Sequence, residues 1–456
     1  MKRSELAASP KEIRLFLELN EKERRAFREK SLENLILYAK EKSPYYAELF
    51  KDVQWHGDLS LSALPISYPD EFAFDHWNTL ELKKTDLKGK LPGKNAVYAM
   101  DIDKKSYPIA ATPAGMATQR AIMEERILMG LRENKTAIVY PKGKSSFLGK
   151  LFHYGKRISK ARVEKYFIDA ALPVSEILAK LEAAKPQVIF IYPTLAGLLA
   201  KAKLRGEIKI SPKKIVLYGE YSGNFLKNLL IEAFSCAVQR AYITSEGGIL
   251  AAECENGHMH ICEDWAIVEA VDRDNDFIGY GKKSEKALLT NLWNYASPFI
   301  RCDLGDKIVL RESKCACKNS AKQIEVLGKA DDYIDFMISS DTIIRILPVS
   351  LYELLSPIAE IDLFQIVVHK NEIEFRMQAA PGADKQALFH MVEEPLMGYL
   401  YACELRDIHL YLSDEAPAFE DDGRFRYVLQ PNREEEITYY IDGEMVTVRR
   451  DKHEKD

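Results

Sequence analysis

The residues best suited to chemistry lie between Tyr242 and Asp264, in the stretch YITSEGGILAAECENGHMHICED. Two hydroxyls and a carboxylate, from Thr244, Ser245 and Glu246, precede a pair of glycines. A turn of small residues lets the backbone approach a ligand closely. The first half of this stretch therefore predicts a ligand-binding turn.

The second half of the stretch predicts a metal site together with a later Cys-x-Cys pair. The predicted ligands are Cys254, His260, Cys315 and Cys317. Zinc prefers thiolate and imidazole, and a tight Cys-x-Cys loop can complete a tetrahedron with a separated Cys/His pair. Four protein ligands leave no open position, so the predicted Zn²⁺ is structural. His258 is an alternative to His260, Cys262 is a weaker one, and four unconnected residues remain a further interpretation.

Composition favours a globular protein that binds a small molecule. The chain has 456 residues, of which 47% are hydrophobic, so it can form two to four domains. Its 64 basic and 69 acidic residues are well mixed and give a net charge of -5, which does not favour nucleic-acid binding. The longest uncharged apolar run, 188–200, is too short to span a bilayer. A charged N-terminus and only seven cysteines lead us to expect a reducing, cytoplasmic compartment.

Alternating patterns predict a layered α/β architecture in the first part of the chain. Helical periodicity covers 11–52, with a break at Ser43-Pro44, and short β-branched runs at 136–140, 188–192 and 214–218 are separated by helical patterns. Gly219-Glu220 directly follows the third run, at the position where open α/β sheets bind ligands.

A second loop could bind an anion. The run 107–119 consists of small and hydroxyl residues and leads into a helical pattern near Arg120. Free backbone N–H groups and the helix dipole attract anions at such a position. An ordinary loop is the alternative interpretation.

A change in composition at 328–332 predicts a hinge between a large α/β domain, 1–330, and a small α+β domain, 331–431. The second domain contains helical patterns at 349–355 and 384–401 and strand patterns at 364–369, 372–377 and 407–412. Alternation around Asp442-Gly443 predicts an added hairpin within 432–456.

Taken together, these motifs resemble the adenylate-forming enzymes, in particular their phenylacetate-CoA ligase-like branch. The resemblance covers about 32–430 and depends on four groups of residues. They are Tyr242 with Thr244-Ser245-Glu246-Gly247; His260 with Glu263-Asp264; Leu289-Thr290-Asn291-Leu292 with Pro298 to Arg301 and Gly305-Asp306; and Ile324 to Gly328 with Asp331-Asp332.

The resemblance implies that ATP activates a small, aromatic or hydrophobic carboxylic acid to an acyl-adenylate. The acyl group would then pass to coenzyme A, or to another thiol such as that of a carrier protein, and a homodimer is possible. The implied catalytic residues are Glu246, which would hold Mg²⁺, with Thr244 and Arg424. The implied ATP/AMP-binding residues are Thr112, Gly115, Thr118, Gly219, Glu220, Tyr242, Ser245, Arg301, Asp306 and Lys329. Similar Cys and His positions in the branch also support the zinc site.

Two departures from the family pattern leave a second function open. The phosphate loop, Thr112 to Thr118, has few hydroxyls and glycines, and Pro113 lacks an N–H donor. Arg424 stands where the family has a lysine, and its planar guanidinium is not equivalent to a compact ammonium. A nucleotide- or acyl-binding homologue with impaired catalysis is therefore the alternative to an active ligase. A purely structural protein is the third hypothesis.

Overall fold

The computed structural model describes residues 13, 15–16, 18–53, 61–68, 96–102, 105–129, 131, 134–141, 147–154, 163–329, 334–339, 342–369, 372–431, 436–441 and 444–449. The chain forms two compact units. One comprises Met1–Ser222, Leu230–Ala330 and Asp421–Arg424, and the other comprises Gly223–Leu229, Asp331–Glu420 and Phe425–Asp456. Residues 330–332 of the predicted hinge lie outside the described residues, so its mobility and the domain limits stay predictions.

The helices have the following bounds: α1 Glu21–Lys42, α2 Pro44–Leu49, α3 Pro113–Ile122, α4 Phe147–Tyr154, α5 Val174–Ala184, α6 Pro193–Leu204, α7 Asn224–Phe234, α8 Pro348–Leu355 and α9 Lys385–Ala402. A π-helical turn, Met123–Ile127, continues α3, and a 3₁₀ turn covers Leu61–Ala63. Among the described helices, none is both long enough and apolar enough to cross a bilayer.

The strands of the first unit are β1 Ala96–Ile102, β2 Lys105–Ala111, β3 Asn134–Tyr140, β4 Val163–Asp169, β5 Val188–Ile191, β6 Lys214–Leu217, β7 Ala237–Thr244, β8 Gly248–Glu253, β9 Met259–Ile261, β10 Ala266–Val271, β11 Lys286–Asn291, β12 Cys302–Asp303, β13 Asp306–Arg311 and β14 Gln323–Lys329. The strands of the second unit are β15 Ile334–Ser339, β16 Thr342–Ile346, β17 Ile361–His369, β18 Glu372–Ala379, β19 His409–Leu412, β20 Val428–Leu429, β21 Glu436–Ile441 and β22 Glu444–Arg449.

The first helices begin and end where their capping residues stand. Asn20 and Glu23 form a capping box at the start of α1. Ser43 follows α1 and caps α2, whose first residue is Pro44. The predicted break at Ser43-Pro44 is confirmed, because proline is favoured in the first turn of a helix and is unfavourable in its interior.

The core of the first unit is a nine-stranded mixed sheet in the order β13-β14-β9-β8-β7-β6-β5-β3-β4. Strands β4, β3, β5, β6 and β7 run parallel, whereas β7, β8, β9, β14 and β13 pair antiparallel. β5 is buried along its whole length, as its continuous apolar run predicts. The predicted α/β fold class is confirmed. Strand β7 belongs to both halves, and its carboxyl end carries the predicted ligand-binding turn.

The first unit also contains a separate three-stranded sheet, β10-β11-β12, and a two-stranded sheet of β1 and β2. In the second unit, β19-β18-β17-β20 form a four-stranded sheet, and β15 pairs with β16. The strands of the predicted terminal hairpin, β21 and β22, pair antiparallel; the turn at 442–443 lies outside the described residues.

One carboxylate in the second unit should make stability depend on acid pH. Glu374 accepts hydrogen bonds from Arg376 at 2.6 Å and from Ser413 at 2.7 Å. The Arg376 guanidinium is the main cause that lowers the pKa of Glu374 from 4.5 to about 2. A lowered carboxyl pKa stabilises the fold above its unfolded value, and that stability is lost as pH falls towards 2.

We expect Glu374→Gln to lower the melting temperature at pH 7 and to flatten its decline between pH 4.5 and 2, measured by circular dichroism. Glu372→Gln on the same strand, for which the side chain is exposed, is the matched control. Parallel pH profiles for wild type and Glu374→Gln would contradict the expectation.

Candidate active site and metal centre

The turn between β7 and β8 is built from hydroxyl and glycine residues, as its sequence predicts. Thr244 Oγ1 accepts a hydrogen bond from the Gly247 N–H at 3.0 Å, which closes the turn over Ser245 and Glu246. Gly248 has φ +73°, and an added Cβ would lie 2.7 Å from Gln119 Cδ. Glycine is therefore required here both by conformation and by close packing.

Three predicted nucleotide-binding residues form one hydrogen-bonded chain beside this turn. The Tyr242 hydroxyl donates to Asp306 Oδ2 at 2.5 Å, and Lys329 Nζ lies 2.9 Å from Asp306 Oδ1. Lys329 also donates to the Leu304 carbonyl at 3.0 Å. Burial raises the pKa of Tyr242 well above 10, so its hydroxyl remains a neutral donor. A carboxylate held in this way can accept hydrogen bonds from a ligand with its remaining lone pairs.

Glu246 lies within electrostatic reach of this chain. Burial raises the pKa of Glu246, while the charge of Lys329 opposes the rise. The backbone carbonyl of Glu246 accepts a hydrogen bond from Asn291 Nδ2 at 3.0 Å, which fixes the turn to β11. The arrangement keeps a partly desolvated carboxylate next to a cation, which suits binding of a divalent cation and phosphate.

The predicted phosphate loop leads into α3, and its two threonine hydroxyls form hydrogen bonds within the loop and the helix. Thr112 caps the helix, with Oγ1 accepting from the Gly115 N–H at 3.0 Å. Thr118 is fully buried and donates to the Ala114 carbonyl at 3.1 Å. The structure thus places the loop near the β7–β8 turn through Gln119, whose Oε1 accepts from the Ile249 N–H at 2.8 Å.

Gly219 and Glu220 lie at the carboxyl end of β6. Gly219 has φ +82°, and a Cβ there would lie 2.8 Å from the Tyr192 ring. Glu220 Oε2 accepts from the Thr194 N–H at 2.9 Å and so caps α6. Glu220 therefore has a structural role as a helix cap, and its predicted place along an adenine stays a prediction.

The two predicted arginines differ in their surroundings. Arg301 is 2% exposed and donates to the Leu64 carbonyl at 2.6 Å and to Glu269 at 3.3 Å. These contacts hold the Arg301 guanidinium in a buried position between Leu64 and Glu269. They do not bear on its predicted position near the nucleotide, which stays a prediction. Arg424 is partly exposed and pairs with Asp422 at 2.7 Å. Its charge also opposes the rise in the pKa of Tyr192 that burial causes.

The four predicted zinc ligands come together in the structure. The ligand atoms of Cys254, His260, Cys315 and Cys317 all lie within 4.8 Å of one another. Cys254 Sγ is 3.6 Å from Cys315 Sγ, and Cys317 Sγ is 3.4 Å from His260 Nε2. A tetrahedral zinc with 2.3 Å bonds to sulfur separates two sulfurs by about 3.8 Å. The spacing of the cluster therefore fits a zinc ion.

Contacts around the cluster orient the His260 ring and lower the pKa of one thiol, and both effects favour metal binding. His260 Nδ1 is 2.9 Å from the Ala321 carbonyl, which leaves Nε2 free to bind. Burial opposes ionisation of Cys315, but hydrogen bonds from the Cys317 backbone and neighbouring side chains lower its pKa to about 6. His258 is exposed, and Cys262 is fully buried away from the four ligand atoms. The geometry favours His260 among the alternatives.

Most residues that line a small cavity beside the β7–β8 turn were not predicted as site residues, although Gly115 was. Its walls include Gly115, Gln119, Phe147, Gly248 and Trp265, together with Asn291 and Asn294. Trp265 Nε1 donates to the Gly247 carbonyl at 2.6 Å. The Asn-Leu-Trp-Asn order at 291–294 was a signal, since polar residues after a buried strand commonly line a site.

Comparisons with known proteins bear on the fold. No protein-family model matches the chain. Protein CapK of Staphylococcus aureus is 21% identical over 317 residues, which are 66% of this chain and 67% of that protein. A 2-hydroxyisobutyryl-CoA ligase in the postadenylation state has a TM-score of 0.69 at 18% identity, with 89% of each chain covered. The anthranilate CoA ligase AuaEII has a TM-score of 0.53 at 13% identity, with 72% of this chain and 65% of that chain covered.

The chain therefore shares the fold of these two solved acyl-CoA ligases. The predicted resemblance is confirmed at the level of the fold. The phenylacetate-CoA ligase-like branch stays a prediction.

Proposed function

We propose that this protein activates a small carboxylic acid with ATP to an acyl-adenylate and transfers the acyl group to coenzyme A or another thiol. The observation that carries the proposal is the chain from Tyr242 through Asp306 to Lys329 beside Glu246, at the carboxyl end of β7 in a superfamily fold. The named ligands of the solved neighbours, 2-HIB-AMP and anthranoyl-AMP, are consistent with it.

Each group in the proposed site has a distinct task. Asp306 accepts from the ribose hydroxyls, and Tyr242 orients that carboxylate while its ring packs beside the base. Glu246 would hold Mg²⁺, a hard cation that requires oxygen ligands and whose charge would neutralise the phosphates. The charge of Lys329 opposes the rise that burial causes in the pKa of Glu246, and it would stabilise negative charge nearby. The remaining predicted contacts, from Gly115, Ser245, Gly219 and Arg424, belong to the same proposal.

We also propose that the Cys254, His260, Cys315 and Cys317 cluster, hereafter the cysteine–histidine cluster, holds a structural Zn²⁺. With four protein ligands, the ion has no free position for substrate. Its chemistry is to fasten the loop between β8 and β9 to the loop between β13 and β14. Arg240 supports the first loop, since it donates to Glu253 at 2.6 Å and to the Gly257 carbonyl at 3.2 Å.

A homologue with impaired catalysis is favoured by one specific observation. Thr112 and Thr118 both direct their hydroxyls to backbone atoms of α3 rather than outwards. Loss of one preorganised donor typically costs about 10²–10³ in rate. Adenylation would then be slow, although nucleotide binding would persist.

Pyrophosphate exchange across a panel of aromatic, hydrophobic and hydroxylated acids tests the proposal. We expect exchange with at least one acid, and a decrease of about 10²–10³ in Glu246→Gln because a preorganised charge is lost. Glu255→Gln, at an exposed position in the next hairpin, is the matched control and should retain full activity.

Nucleotide binding without exchange would instead support the impaired homologue. Ligand at a hundred times its Kd stabilises a protein by roughly 2.7 kcal/mol, which a melting curve detects. Absence of both exchange and an ATP-dependent shift would contradict any nucleotide function.

A further inference from the structure

One polar side chain of the cavity beside the β7–β8 turn lacks the partner that its neighbours have. Asn294 is 2% exposed, and no described residue hydrogen-bonds its buried Oδ1 atom. Gln119 Oε1 accepts from the Ile249 N–H, and Asn291 Oδ1 accepts from the Asn294 N–H at 2.9 Å. The backbone of Asn294 is thus fixed, while its side-chain oxygen has no hydrogen-bond donor among the described residues.

A buried carbonyl oxygen without a hydrogen-bond donor is destabilising, so its presence in a packed wall requires an explanation. The cavity volume is about 10 Å³, enough for a single water molecule but not for an aromatic ring. The wall is otherwise apolar or internally bonded, with Met116, Phe147 and Trp265 among its residues. A ligand group that enters must be small.

None of the ten residues that line the cavity carries a charge. An ammonium group would therefore lose its hydration without a counter-ion, which is costly. A hydroxyl can donate and accept at once, so it matches a carboxamide in either orientation. The chemistry of the wall selects a neutral hydroxyl on an apolar body.

The position of the cavity connects it with the proposed reaction. Gly247 and Gly248 line it and directly follow Glu246, while Gly115 lines it from the start of α3. An acid whose carboxylate lies at Glu246 and the α-phosphate would direct its body to this cavity. We propose that the preferred substrate is a short hydroxy acid whose hydroxyl binds Asn294, which makes Asn294 a specificity-determining residue. This inference rests on the proposed adenylation.

The test uses pairs of acids that differ only in the hydroxyl: lactate with propionate, 3-hydroxypropionate with propionate, and 2-hydroxyisobutyrate with isobutyrate. We expect one hydroxy acid to exceed its partner at least about tenfold in kcat/KM for pyrophosphate exchange, since the unpaired acceptor penalises the acid that lacks a donor. Asn294→Leu should reduce that ratio to about one, chiefly by raising KM for the hydroxy acid. Benzoate and phenylacetate represent the aromatic alternative.

Two further measurements separate this inference from the proposed function. Asn294→Leu should leave the melting temperature of the ligand-free protein unchanged or raised, because an unsatisfied group is removed. Gln119→Leu, at a fully bonded carboxamide in the same wall, should lower it. A thermal shift with each acid, alone and with AMP, reports binding without turnover.

A hydroxy-acid shift that Asn294→Leu abolishes would support the cavity assignment even if exchange fails with every acid, in which case the proposed adenylation alone is wrong. Exchange with equal rates for hydroxy and deoxy acids, or a preference for benzoate, would overturn the inference and leave adenylation supported. Absence of both binding and exchange would overturn both.

Discussion

Removal of metal from the cysteine–histidine cluster is expected to unfold the two loops that it joins and to lower the stability of the first unit. Structural zinc contributes on the order of 10 kcal/mol in small zinc domains. Here the ion would bind Cys254 and His260 together with Cys315 and Cys317, and so would close a long loop of the chain. Protein purified without a nickel column should contain about one zinc per chain.

Cys315→Ser provides the sharpest variant, because serine retains the size but not the thiolate. We expect it to lose zinc and to expose the 254–259 and 312–322 loops in hydrogen exchange, with a large decrease in melting temperature. Cys403→Ser, at a half-buried thiol in the second unit, is the control and should retain metal. Less than a tenth of an equivalent of zinc, together with wild-type stability of Cys315→Ser, would refute the metal site.

The second large effect is expected from the buried ion pair between Arg126 and Asp264. Arg126 Nη2 lies 2.8 Å from Asp264 Oδ1, and the side chains are only 7% and 5% exposed. Arg126→Met leaves a carboxylate in a desolvated position, so we expect a loss of about 3–5 kcal/mol in the free energy of unfolding, measured in urea.

The double variant Arg126→Met/Asp264→Leu should recover most of that stability, since two apolar residues replace the pair. Arg25→Met, which removes one partner of an exposed pair with Glu29, should change stability by less than about 1 kcal/mol. Burial raises the pKa of Asp264, and the charge of Arg126 opposes that rise. The loss of unfolding free energy in Arg126→Met should therefore become smaller at acid pH, where the Asp264 carboxyl is neutral. A deficit that does not depend on pH would attribute the effect to packing.

Local signals account for the parts of the fold and site that could be predicted from the sequence. The boundary at Ser43-Pro44 and the buried β5 depend on residues adjacent in sequence. The cysteine–histidine cluster was predictable because zinc restricts its ligands to a few residue types. Three of the seven cysteines of the chain belong to it, and this concentration of zinc-binding residue types is visible in the sequence.

Long-range partners explain what the sequence could not reveal. Arg301 follows a family-like pattern, yet its guanidinium contacts Leu64 and Glu269, which lie 237 and 32 residues away. Glu220 follows a strand and also caps α6 through the Thr194 N–H, 26 residues away, and its predicted place beside a ligand stays a prediction. The missing partner of Asn294 is a property of the packed wall, and no pattern of neighbouring residue types encodes it.

Strand β14 has a consequence for how insertions would be tolerated. Its first residue, Gln323, pairs with His260, and its last, Lys329, pairs with Asp306. The β13–β14 register shifts between Lys307 and Ile308, and this irregularity is what brings Lys329 opposite Asp306. The length of β14 therefore sets the distance along the sheet between His260 of the cysteine–histidine cluster and Asp306. A change of one residue within the strand would break one of these two pairings, because its length sets both of them.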